Sequence, residues 1–202
     1  MNRFQRPHLT RAGFLLISGL IASAGAMAQN NSLNLAIAAT PPIGDLKKGT
    51  VTMLEYEHMV SPGWSIFARG SSLSYKWDEG NYVEEGDGKA FGAGFRYYFN
   101  RKLEGMYVGG ALSRFDVDWT YNEYPYAGKG NSKNIQWGAE AGYRFRLGNN
   151  FSITPGLNIG QWAGGSSSCT YTEPSGFRGR ACDQESSLGF YSAVSVGLNF
   201  MF

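Results

Sequence analysis

The last ten residues constrain the fold more than any other stretch. In Ala193-Val-Ser-Val-Gly-Leu-Asn-Phe-Met-Phe202, the residues Val194, Val196, Leu198, Phe200 and Phe202 alternate with Ala193, Ser195, Gly197, Asn199 and Met201. A period of two places the first set on one face of a strand and the second on the other. A strand with one greasy face needs either a packed core or lipid beside it. Ending on an aromatic fits the second case, in which a last strand closes a barrel against the first. Phe200 and Phe202 are then expected to form a C-terminal assembly signal.

The other end of the chain points to export. Arg3, Arg6 and Arg11 precede the apolar run Gly13-Phe-Leu-Leu-Ile-Ser-Gly-Leu-Ile-Ala22, and Ala26-Met27-Ala28 is a small-x-small cleavage site. This is the pattern of a secretory signal. The expectation is a cleaved signal over 1–28, export by the Sec route, and one mature domain over 29–202. Three basic residues leave with the signal, so the precursor's formal charge of +2 carries no message about nucleic acid. The mature part contains no apolar run of the ~18 residues a spanning helix needs, and mean hydropathy is −0.29. Aromatics nevertheless make up 15% of the chain, and 28 of its 202 residues are glycine, about twice the usual ~7%. Strands greasy on one side only would give this balance.

Alternation recurs upstream. Along 135–147 the odd positions are apolar, aromatic or alanine, and the even ones are Gln136, Gly138, Glu140, Gly142, Arg144 and Arg146. Further strands are read at 51–60, 64–77, 89–99, 105–119, 151–160 and 187–202. An even strand number is required for closure of a single-chain barrel, so the weakest segment, 31–39, is assigned as the first. Short turns are expected at 61–63, 100–104 and 148–150, and long loops at 40–49, 78–88, 120–134 and 163–186. Pro155 cannot donate to a ladder and marks an expected bulge or irregularity. Aromatic girdles are expected from Trp64, Tyr97, Tyr107 and Phe145 on one rim and Trp77, Trp119 and Trp137 on the other. The resulting fold class is all-β: an eight-stranded antiparallel up-and-down transmembrane β-barrel.

Parity then sorts the charges. Pairing Val60 with Trp64 sets Glu55 opposite Arg69, and pairing Leu147 with Phe151 sets Glu140 opposite Asn158. A lumenal network of Glu55, Glu57, Arg69, Arg96, Glu140 and Arg144 is expected, since buried charges persist when paired. Such a plug argues against a general pore. Catalysis has little to work with. His58 is the one mature histidine, sits by a short turn at the periplasmic end and points toward lipid by parity. Ser166, Ser167, Ser168, Ser186 and Ser187 have no base beside them. No metal set and no cofactor motif is present. The acidic stretch 78–88 reads as a solvated loop, with a divalent-cation site as the lesser alternative. Cys169 and Cys182, in an exported chain, are expected to form a disulfide. Arg178 and Arg180, inside that loop with Tyr171 and Phe177, are candidate contacts for lipopolysaccharide phosphates or a host ligand.

Leu54-Glu-Tyr-Glu-His58 before Ser-Pro-Gly-Trp, Gly94-Phe-Arg-Tyr-Tyr-Phe99, Gly105-Met-Tyr-Val-Gly-Gly110 and Gly138-Ala-Glu-Ala-Gly-Tyr-Arg-Phe145 carry a resemblance. They resemble the small outer-membrane barrels of the opacity-protein and OmpX/OmpW-like group. The resemblance implies eight strands in a Gram-negative outer membrane. It also implies a non-enzymatic surface role in adhesion, envelope integrity or host interaction. Expected partners are outer-membrane lipid and lipopolysaccharide, the barrel-assembly machinery, and a host or surface ligand at the loops. The alternatives are a lipid-modifying enzyme and a narrow channel for small apolar solutes. Lipid A deacylases of this architecture use a His-x-Ser pair on a late strand, and the late strands here contain no histidine.

Overall fold

The computed structural model describes residues 30–40, 49–80, 82–123, 126–172, 178–179 and 189–202. Eight long strands run β1 (Asn31–Thr40), β2 (Gly49–Ser61), β3 (Trp64–Glu79), β4 (Tyr82–Tyr98), β5 (Gly105–Glu123), β6 (Tyr126–Arg146), β7 (Phe151–Thr172) and β9 (Phe190–Met201). The two-residue β8 (Arg178–Gly179) adds to the end of β7. Each long strand pairs antiparallel with the next, and β1 pairs with β9, so the sheet closes. The weakly patterned first strand is therefore real, as parity requires. Phe202 is tied to Asn31 by a reciprocal backbone pair, N–H to O at 3.0 and 3.1 Å.

The stagger follows from the register. The direct partner of Asn34 on β9 is Asn199. Stepping instead from Asn34 through Glu55, Arg69, Gly92, Ser113, Gln136 and Trp162 arrives at Gly189, ten residues away. Such a shear tilts the strands by roughly 35–45° and leaves an interior about one layer of side chains wide.

One band of the outer surface is apolar all round, with Leu35, Ile37, Leu54, Ile66, Phe91, Phe95, Leu112, Trp137, Leu157 and Val196 exposed. In water this would be a large exposed patch. Around a closed sheet with a polar lumen it is a lipid belt. Phe200, partly exposed beside the belt, stacks on Phe202 and meets Phe151 edge-on. Beyond the belt the two faces trade character. On β5 the outward positions pass from Leu112 to Arg114, Asp116 and Asp118, while Phe115 and Val117 turn inward and are buried. On β4 the outward Lys89, Asp87 and Glu85 follow Phe91 in the same way. Strand parity is unbroken here, so the change is one of environment. The outer halves stand in water and keep their grease inside.

Several expectations are corrected by this geometry. Stretches 78–88 and 120–134 are mostly strand: β3 runs to Glu79 and β4 starts at Tyr82, and β5 runs to Glu123 and β6 starts at Tyr126. Tyr107 and Trp119 face the lumen, so neither joins a girdle. Trp64, Tyr97, Trp137 and Phe145 do face outward. Val60 is the bulged residue, and Trp64 pairs with Ser61. Pro155 does mark an irregularity, as expected, though not a bulge: the ladder with β6 lapses at Tyr143 and Arg144 and resumes in register at Phe145↔Ile153, while the register shift lies beside Asn134. The turn at 61–63 is tight because Pro62 is followed by Gly63 at φ +89°, a conformation open to glycine.

Candidate functional site

All six sequence-assigned charges meet in the lumen, none more than 9% exposed. Arg96 on β4 is the hub. Its Nη1 and Nη2 donate to the two oxygens of Glu55 at 2.6 and 2.9 Å, Nη1 also reaches Glu57 at 3.0 Å, and Nε donates to Glu140. Arg69 Nη2 donates to the other Glu140 oxygen at 2.6 Å, and its Nε lies 3.4 Å from Glu55. Arg144 Nη2 donates to Glu57 at 2.6 Å. Three cations thus meet three anions, and the planar guanidinium forks suit several carboxylates at once. The matched count is what makes burial tolerable, because an unpaired charge here would face a steep desolvation cost.

Other side chains complete the network without having been singled out in the sequence. Ser65 and Tyr98 hydroxyls donate to Glu57, Tyr98 at 3.0 Å. The ring of Phe67 lies between Arg69 and Arg96, 4.2 and 4.3 Å from the two guanidinium carbons. A phenylalanine at an inward position two residues before an arginine was the available signal. Below the network, Leu103 from the 100–104 turn packs with Tyr98 and Tyr107, all at most 4% exposed. The end that carries the short turns is stoppered by this apolar layer.

Above the network the described residues line a cavity of about 1870 Å³. On its wall the Tyr75 hydroxyl donates to Glu84 at 2.8 Å, and Tyr82 donates to the same carboxylate. Burial, then the adjacent Glu84 charge, push both phenols above their usual range, which keeps them neutral donors. Glu85 pairs with Lys76 on the outer face. The acidic stretch is thus spread over both faces of a hairpin, and no group of three or more metal-ligating side chains forms among the described residues.

His58 is exposed on the outer surface beside the short turn, with Nδ1 2.8 Å from Asn31 Oδ1. It has no serine or carboxylate partner in a triad geometry. Cys169 is buried near the outer end of β7 and carries no free thiol. Cys182 and Arg180 lie outside the described residues, as do residues 1–28 and the stretch 41–48; of Arg178 only the backbone is described, pairing with Thr172.

A closed sheet, a lipid belt and a lumen whose buried charges are paired define a transmembrane β-barrel of the outer-membrane type. Solved structures of that type share its fold. Neisserial surface protein A superposes with a TM-score of 0.57 at 12% identity, covering 85% of this chain and 97% of that one. Ail, the attachment invasion locus protein of Yersinia pestis, gives 0.55 at 14% identity, covering 87% and 100%. A major outer membrane protein from Thermus thermophilus gives 0.54 at 14% identity, covering 85% and 99%. No protein-family profile matches the chain, and no curated protein sequence does.

Proposed function

We propose that this protein is a non-enzymatic surface barrel of a Gram-negative outer membrane, holding its outer hairpins away from the bilayer for contact with a surface or host ligand. The observation that carries this reading is the exchange of faces on β4 and β5. Strands that only crossed the membrane would end at the belt. These continue as a water-facing stalk with its own inward apolar lining, Ala90, Phe115 and Val117 packed against Leu73, Tyr75 and Trp162. Ail, one of the barrels of like fold, is named for attachment and invasion. The rest of the reading is a proposal on the same footing. It comprises a cleaved 1–28 signal, Phe200 and Phe202 as the assembly signal, lipopolysaccharide around the belt, and a Cys169–Cys182 staple presenting Arg178 and Arg180.

The test is surface access. Epitope tags placed at 80–81 and at 124–125 should be reached by antibody on intact cells, and a tag at 148–150 only after the outer membrane is opened. Protease nicking between residues 173 and 188 should leave the fragments joined until reductant is added. Tags reached in the opposite pattern would overturn the orientation, and fragments that separate without reductant would remove the staple. A lipid-modifying activity is disfavoured by the place of His58. Unchanged lipid A mass spectra from a deletion strain are the expected outcome.

A further inference from the structure

The hollow outer lumen is made by the way its aromatic side chains lie. Tyr75, Trp119 and Tyr121 occupy inward positions but do not fill the centre. Each is seated in the gap left by a glycine on the neighbouring strand. A Cβ at Gly86 would stand 2.4 Å from the Tyr75 ring, one at Gly130 2.4 Å from Trp119, and one at Gly128 2.2 Å from Tyr121. Lower on the wall Trp162 and Tyr191 lie with centroids 6.0 Å apart. The rings coat the wall, and about 1870 Å³ stays open between them. That exceeds the roughly 300–1,000 Å³ of a site for a drug-sized ligand.

Between the rings stand three carboxamides, Asn134, Gln136 and Asn158, on inward positions lining this space. None of these side chains has a protein hydrogen-bond partner among the described residues. The charges on the floor and lower wall are already engaged. Arg69 on the floor is held by Glu140 and Glu55, and Glu84 accepts from two tyrosines. Higher up, Asp87, Asp118, Glu123 and Lys129 also border the space, and the first two and Lys129 stand on outward strand positions.

We infer that this cup binds a neutral oligosaccharide, stacking sugar rings on its tyrosines and tryptophans and pairing hydroxyls with Asn134, Gln136 and Asn158. The negative face of an aromatic ring attracts the C–H dipoles on the flat side of a sugar. A carboxamide both donates and accepts, as a sugar hydroxyl does. A charged ligand seated among the three carboxamides would give up hydration and meet no free counter-charge at that depth. A wholly apolar ligand would strip water from three carboxamides and return no bonds. The inference goes beyond display by the hairpins and needs only that the cup be open to solvent.

Purified full-length protein in detergent is titrated with maltotriose and with chitotriose, reading tryptophan fluorescence and heat. A heparin hexasaccharide and naphthalene serve as the anionic and apolar comparisons. Saturable binding of at least one neutral trisaccharide is expected. It should weaken at least about tenfold in Asn134→Leu with Gln136→Leu, which nearly preserves volume and leaves the charged network intact. Lipid-facing Trp137→Phe should bind as the parent does. Heat-modified gel mobility confirms that each variant is folded, and Trp162→Ala gives a second, independent loss. Saturation by heparin or naphthalene alone, by neither trisaccharide, or equally in the leucine variant would overturn the inference. Because the measurement is made on isolated protein, its failure is distinct from failure of the surface-access test.

Discussion

Arg96 shows what one residue does in this lumen. Its guanidinium touches Glu55, Glu57 and Glu140, and its flat side lies on Phe67. Arg96→Met would leave three carboxylates with only Arg69 and Arg144 between them. Breaking a buried ion pair from one side costs about 3–5 kcal/mol, and urea unfolding in detergent should show a loss of that size. Arg114→Met, at an exposed position above the belt, should stay within about 1 kcal/mol. Glu57→Gln and Arg144→Met should each destabilise, and together cost less than their sum, since each leaves the other's partner unpaired. An additive result would mean that the two groups do not sense one another, contrary to their 2.6 Å contact.

At the scale of the strand, parity explains both what the sequence discloses and what it hides. The pairs Glu55↔Arg69 and Glu140↔Asn158 are legible because short turns fix register and a period of two fixes the face. Tyr107 and Trp119 are misplaced by sequence reasoning because an aromatic near a strand end reads as part of an interfacial girdle. Apolar character says which environment a side chain avoids, and that environment differs above and within the bilayer. The hairpin of β3 and β4 reads as a loop for the same reason: Glu85 and Asp87 look like loop residues until their pairing with Lys76 and Ser74 is counted. Spin labels along the outward face of β5 test the exchange. Met106, Val108 and Leu112 should be accessible to oxygen dissolved in lipid, Asp116 and Asp118 to a water-soluble relaxer, with the crossover at Arg114. Gly130→Val tests the seating of the aromatics, because its side chain would meet both Trp119 and the Ser168 carbonyl. Overpacking of this kind costs about 1–3 kcal/mol and should lower the temperature at which gel mobility shifts.

At the scale of the whole cylinder, one diameter supports two different interiors. Eight strands with a ten-residue stagger leave room for about one layer of side chains. Whether that room fills depends on where the bulk points. In the half nearer the short turns, arginines and glutamates of opposite walls reach each other and Leu103 is tucked beneath them, so the bore is sealed twice. In the outer half, rings recede into glycine gaps and the bore stays open. The protein should therefore pass no steady current in planar bilayers, despite the large cavity above the seal. Glu57→Ala with Arg144→Ala removes one cation and one anion, keeps the lumen neutral and deletes two fully buried side chains. If the ion network is the tighter seal, this variant should conduct. If it does not, Leu103→Gly added to it should, because the Tyr98–Leu103–Tyr107 layer is then opened as well. A current from the unaltered protein would mean that neither layer closes it. The cup would then be the vestibule of a path through the membrane.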